Sequence, residues 1–180
     1  MVLCCWLLQW AICENALMDN YLEDYPTAYS KHNRVLGMIL SFNLGHIDPL
    51  VLNFNEYVSM CEAGWDPTIV IFTTVPWSDT LQRYFKRKAF CYRTNASMPI
   101  IMRESDPSIG TSLAAEHRKY TAAEVANYDV FVYHEDDILF KYHHLVAYLF
   151  ETKKLFDFKL ARDFTIGFQR YNPFIPLPAL

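Results

Sequence analysis

Three consecutive carboxylates, Glu135-Asp136-Asp137, follow directly on the apolar run Val130-Phe-Val-Tyr-His134. A run of that composition reads as a buried strand, and in open α/β sheets ligands bind just beyond the carboxyl ends of the strands. Adjacent carboxylates repel one another, and a buried set needs compensation. A divalent cation supplies it: Mg2+ or Mn2+ takes one or two protein carboxylates and leaves the rest of its shell to phosphates and water. If the strand conformation persists, Glu135 and Asp137 point to one side and Asp136 to the other. One side then faces a metal while the other orders the loop or a ribose. The plainer reading is a helix cap, with Asp136 or Asp137 at the N-terminus of a helix starting near Phe140.

Histidines crowd the same region. His134 alternates away from Tyr133 and suits either a metal ligand or a group behind the ligands. His143 and His144 are neighbours on a helix, so they do not form a chelating pair one turn apart and read as structural or exposed.

The elements that must position the acids alternate along the chain. Val35–Phe42 and Thr68–Thr74 are short, continuously apolar runs, as expected of strands buried on both faces. Between them, Asp48-Pro49 is a helix-start signal, with Asp as cap and Pro in the first turn. Leu50, Val51, Phe54, Tyr57, Val58 and Cys61 then recur at helical spacing, and Gly64 stops the helix. Ser78 caps a second helix carrying Leu81, Tyr84 and Phe85. Ile100–Arg103 is a shorter strand, Ile109–Asn127 a helix rich in Ala, Glu and Lys, and Tyr142, Leu145, Val146 and Leu149 mark a last amphipathic helix. Such alternation predicts an α/β fold, a mostly parallel sheet flanked by helices. The expected division is an apolar N-terminal segment and polar linker over 1–34, an α/β domain over 35–170 and an irregular Pro-rich tail over 171–180.

Composition narrows the classes. The chain has 180 residues, 52% apolar and 20% charged, which is a globular balance with enough length for one sizeable core. The net charge of −4 argues against a nucleic-acid partner, which requires a basic footprint. The basic cluster Lys86-Arg87-Lys88, with Arg83 and Arg93, reads as the solvated face and end of a helix. The five cysteines, Cys4, Cys5, Cys13, Cys61 and Cys91, match no zinc pattern; a Cys61–Cys91 bridge is open, but the spacing does not demand it. Residues 2–12 are strongly apolar yet too short to span a bilayer, which leaves a signal-anchor remnant, an interfacial segment or a buried helix. Asn95-Ala-Ser97 is an N-glycosylation sequon. No nucleophile elbow, Gly-rich phosphate loop or Cys/His nucleophile signature is present.

The stretch Leu113–Leu155 resembles the segment of A-type (GT-A) glycosyltransferases that holds the Asp-x-Asp-type motif. It looks most like the Glu-Asp-Asp variant of N-acetylglucosaminyltransferases that build N-glycan branches. The order of elements carries the likeness: a helix with Glu116-His117-Arg118, the strand Val130–Tyr133, then Glu135-Asp136-Asp137-Ile138 and an aromatic-rich helix. The earlier unit from Val35 to Thr74 fits the nucleotide-binding start of that fold. The resemblance implies a transferase that moves a sugar from a nucleotide-diphosphate donor to a glycan or glycoprotein acceptor. Asp137 would hold Mn2+ (or Mg2+) on the diphosphate, with Glu135 beside it. Glu135 and Asp136 would contact the ribose or metal-bound water, and Arg118 would add positive charge near the phosphates, although a surface helix residue is the plainer reading of Arg118. Ser41-Phe42-Asn43 would sit against base and ribose, with Thr73 ending the neighbouring strand. The implied setting is the Golgi or ER lumen, with membrane anchoring through the N-terminus.

In that fold the acceptor half and the catalytic carboxylate base follow the metal motif. Only 43 residues follow Asp137 here, so a nucleotide-sugar-binding half, incomplete at its C-terminus and weak in transfer, is expected. No catalytic base is assigned. Two other readings use the same residues: a metal-dependent phosphoester hydrolase, and a non-enzymatic interaction domain in which the acids are only cap and loop.

Overall fold

The computed structural model describes residues 33–164 and Ile166. The apolar run 2–12, the linker up to residue 32, the Pro-rich tail and Cys4, Cys5 and Cys13 lie outside the described residues. The chain divides into two compact units, Met1–Tyr142 and His143–Leu180.

In the first unit the chain runs β1 (Arg34–Ser41), a 3-10 turn (Leu44–His46), α1 (Ile47–Glu62), β2 (Asp66–Thr73), α2 (Asp79–Lys88), β3 (Phe90–Cys91), β4 (Ala96–Ser97) and β5 (Ile100–Glu104). A second 3-10 segment (Pro107–Ser112), α3 (Leu113–Glu124) and β6 (Val130–Glu135) follow, and α4 (Tyr142–Asp157) leads into the second unit. Four strands form one all-parallel sheet in the order β5-β2-β1-β6; β3 and β4 form a separate antiparallel hairpin. The architecture is therefore α/β, a parallel sheet flanked by helices.

The order has a consequence for function. The chain steps outward from β1 to β2 to β5, then returns to place β6 on the other side of β1. The direction of winding reverses between β1 and β6, and a crevice opens outside the carboxyl ends of two strands at such a point.

Burial explains why these segments are strands. Seven consecutive residues of β1, Val35–Ser41, and seven of β2, Pro67–Thr73, are buried, as required of central strands covered on both faces. On one face Leu36, Met38, Leu40, Val70 and Phe72 pack with Leu113 of α3 and its neighbours Ala114 and Tyr120. On the other, Tyr57 of α1 lies directly over Gly37, where an added Cβ would collide with its ring.

Helix ends follow local rules. Ser78 Oγ accepts from Leu81 N at 3.3 Å and caps α2. Gly64, with φ of 102°, closes α1: Trp65 N bonds to Met60 O and Gly64 N to Cys61 O, the paired bonds of a Schellman motif. Asp48 differs from expectation. It lies inside the first turn of α1, because the 3-10 turn, opened by Asn43 Oδ1 on Gly45 N at 2.7 Å, runs straight into the helix. The helix expected over Ile109–Asn127 is also shorter: Gly110 (φ 52°, ψ −135°) breaks it, and α3 begins only at Leu113.

Cys61 and Cys91 form a disulfide, Cα atoms 6.2 Å apart, tying α1 to the β3–β4 hairpin. Arg93 belongs to this junction, its guanidinium donating to the carbonyls of Cys61 and Trp65. The other basic residues, Arg83 and Lys86–Lys88, are exposed on α2 as expected.

The described residues of the second unit form the body of α4 and the turn after it. Lys154 pairs with Glu151 at 2.8 Å and lies 4.1 Å from the Phe150 ring centroid. The helix closes with Lys159 at a φ of 59°, Leu160 N bonding to Leu155 O. Among the described residues no helix is long and apolar enough to cross a membrane.

Candidate functional site

The acidic run falls at the reversal of the sheet. In the β1–β6 register Leu40 faces Glu135, and Asp136 N continues the ladder to Leu40 O at 2.9 Å. Ile138 N then bonds to Glu135 O at 3.1 Å, closing a turn with Asp136 and Asp137 at its centre. Ser41 and Thr73 are register partners at the same edge. Five expected residues, Ser41, Phe42, Asn43, Thr73 and Glu135, are thus at or just beyond the carboxyl ends of adjacent strands.

Glu135 and Asp137 are exposed and Asp136 is buried, but the strand ends at Glu135, so the turn and not strand alternation orients Asp137. Glu135 lies on the α3 side with Tyr133, whose ring stacks on His117 at 3.8 Å between centroids. Burial, and then the charge of Glu135, push the Tyr133 phenol up, while Arg118 opposes them. Glu135 and exposed Arg118 therefore act on the same phenol with opposite sign.

Asp136 turns to the α1 side. One carboxylate oxygen is 3.0 Å from His46 Nδ1. The other, Oδ2, is buried without a hydrogen-bond partner. Its backbone carbonyl accepts from Asn53 Nδ2 at 3.3 Å, and Asn53 Oδ1 accepts from Phe140 N at 3.0 Å. Asn53, fully buried on α1, thereby braces both ends of the acidic loop. Glu56 adds a third brace, accepting from Tyr142 N at 2.9 Å. The helix-cap reading does not account for Asp136, since α4 starts only at Tyr142 and Asp136 Oδ1 is on His46.

His134 takes a structural place. It is buried, with Nδ1 2.9 Å from Glu135 O and Nε2 3.1 Å from Tyr57 Oη. A carbonyl only accepts, so Nδ1 carries the proton and Nε2 accepts from the Tyr57 hydroxyl. Both nitrogens are engaged, and the ring belongs behind the acids instead of on a metal. Burial is the largest influence on His134 and pushes its pKa down, against the Glu135 carbonyl and Asp136. Burial likewise keeps the Tyr57 phenol protonated.

A group whose pKa is depressed by folding contributes stability that is complete above its unfolded value and lost as pH falls through the folded one. Metal-free protein should lose stability below about pH 6.5, at no more than about 1.4 kcal/mol per pH unit for this one site. Urea melts of wild type and His134→Gln in EDTA check this. The variant keeps an acceptor for Tyr57 without a titrating ring, and its profile should be flatter; equal slopes would assign the effect elsewhere.

Other expected ligand residues spend their polar groups on the loops. Ser41 Oγ donates to Asn43 O at 3.2 Å, Asn43 Oδ1 caps the 3-10 turn, and Thr73 Oγ1 bonds both ways with Val75. Thr74 Oγ1 donates to Phe42 O at 2.8 Å, joining the loops after β1 and β2. These residues build the loops beyond the carboxyl ends of β1 and β2, where Phe42 is partly exposed.

His46, Asn53 and Glu56 join the acidic loop only through the fold. Asn53 carried a usable signal, because it falls in the buried stripe with Leu50, Phe54 and Tyr57, where an amide requires partners. His46 carried none, since it meets Asp136 across 90 residues.

Among the described residues no group of three or more His, Cys, Asp or Glu side chains is arranged to hold a metal ion. A cation that takes one or two carboxylates and completes its shell with phosphate and water requires no such group. Comparison with protein families, with curated proteins and with solved structures finds no match to this chain.

Proposed function

We propose that the crevice between β1 and β6 binds a nucleotide-diphosphate sugar through Mn2+ or Mg2+, as the donor site of a glycosyltransferase. The observation that carries this reading is the coincidence of three carboxylates with the one reversal of winding in the parallel sheet. A parallel α/β sheet offers its ligand crevice there.

The roles follow from exposure. Asp137 and Glu135, exposed on the turn, are the metal ligands, with Asp137 the principal one. Asp136 turns to the α1 side, away from these two ligands; its buried oxygen without a protein partner is assigned to metal-bound water or a ribose hydroxyl. His46 holds the other oxygen and fixes the turn. Arg118, on the Glu135 side, supplies positive charge for the diphosphate, and Phe42 with the Ser41–Asn43 loop receives base and ribose. When bound, the cation stabilises charge growing on the departing diphosphate. The acceptor is a glycan or glycoprotein. The placement of a luminal, Golgi or ER protein belongs to the same proposal.

The test is thermal melting of the full chain with Mn2+ and a panel of nucleotide sugars, alone and together. A ligand that binds only the native state, at about 100 times its Kd, stabilises it by about 2.7 kcal/mol. That is a shift of roughly 5–10 °C in a unit of this size. The shift should require both components and vanish in Asp137→Ala. An undiminished shift in that variant would move the site elsewhere, and release of inorganic phosphate or nucleotide without sugar transfer would favour a hydrolase.

A further inference from the structure

We propose that Asn95 carries an N-linked glycan and that Tyr92 is the platform on which its first sugar rests. The inference is independent of the acidic crevice and of the donor proposed for it.

Asn95-Ala96-Ser97 is the one Asn-x-Ser/Thr sequence in the chain, and the middle residue is not proline. It lies at the tip of the β3–β4 hairpin. Asn95 is exposed and has a φ of 53°, a left-handed conformation that asparagine tolerates better than most residues. Asn95 N donates to Tyr92 O at 3.2 Å, so Tyr92 and Asn95 are the first and last residues of a four-residue turn. Such a turn holds its end Cα atoms within about 7 Å.

Tyr92 is 80% exposed, the most exposed of the large apolar side chains among the described residues. Its ring meets Phe90 edge-on at 5.1 Å, which leaves much of its surface in water. An aromatic side chain in water next to a glycan acceptor gains contact area when the apolar C–H face of the sugar settles on it.

The hairpin is held without the sequon side chains. The Cys61–Cys91 disulfide pins its base, Glu62 accepts from Tyr92 N at 2.6 Å and Arg93 N at 3.2 Å, and Arg93 clamps the carbonyls of Cys61 and Trp65. A glycan on Asn95 therefore breaks none of these bonds. The disulfide is a second pointer to the same compartment, since such bonds persist where the environment is oxidising and N-glycans are added in that environment.

The full chain is produced in a eukaryotic cell and treated with peptide-N-glycosidase. Wild type should show one increment of mobility on treatment, absent from both Asn95→Gln and Ser97→Ala and kept by Ser97→Thr. An unshifted wild type overturns the proposal, as does a shift that survives Asn95→Gln. The Tyr92 role is read separately, by comparing melting of glycosylated and enzymatically trimmed protein. The glycan should raise the midpoint by about 2–4 °C in wild type, and most of that gain should disappear in Tyr92→Ala. An equal gain in both would remove Tyr92 from the account.

Discussion

Gly37→Ala is expected to destabilise the first unit by about 3 kcal/mol, at the upper end for overpacking a core. Gly37 lies in β1, with β2 and β6 hydrogen-bonded on either side, so the strand has no edge toward which to move. The space a methyl group would enter is filled by the ring of Tyr57. That ring is itself fully buried and is fixed at its far end by the hydroxyl bond to His134. Relief would require α1 to lift from the sheet, which would also loosen Asn53 and His46 from the acidic loop. In thermal melts the loss corresponds to roughly 6–12 °C in midpoint. A change below about 0.5 kcal/mol, the range of ordinary surface substitutions, would show that the ring has room the packing does not reveal.

Asp136→Asn is expected to move stability and binding in opposite directions. The carboxylate is buried with one oxygen on His46 and the other without a partner. An unsatisfied buried polar group costs about 1–3 kcal/mol. The amide keeps an oxygen for His46 and puts a neutral NH2 where the partnerless charged oxygen stood, a smaller burial cost than an ionised group carries, so the metal-free protein should melt a few degrees higher, about 1 kcal/mol in stability. The stabilisation by Mn2+ with nucleotide should fall by most of its value in the same variant. That pattern is the signature of a residue held for function at a cost to the fold. Parallel loss of both would instead make Asp136 a structural residue whose partner is His46 alone.

Much of the fold was legible because the parallel strands are buried on both faces and so read as continuous apolar runs. The runs Val35–Phe42 and Thr68–Thr74 match the strands to within two residues, and Ile100–Arg103 falls in the edge strand. The start of α1 was misplaced because a 3-10 turn and a helix share local geometry, so Asp48-Pro49 marks the first turn and not the cap. The break at Gly110 was hidden because a single glycine inside a helical pattern has no fixed meaning. Of the site, the acids were legible from their place at a strand end, while Asp137 owes its exposure to the turn after Glu135. What surrounds them was not. Gly37 beneath Tyr57, His46 beside Asp136 and Asn53 under the loop are contacts between segments far apart in sequence, and no local pattern encodes them. His134 illustrates the same limit: open to a metal role in the sequence, it is closed off by Tyr57 and a backbone carbonyl.

The central claim is a metal-dependent diphosphate site on the acidic turn, and calorimetric titration of UDP and GDP into the full chain tests it most directly. With Mn2+ present, one of the two should bind at a single site, and EDTA or Asp137→Ala should abolish the heat. Absence of binding by either nucleotide in Mn2+, or binding of equal strength in EDTA, would contradict the account.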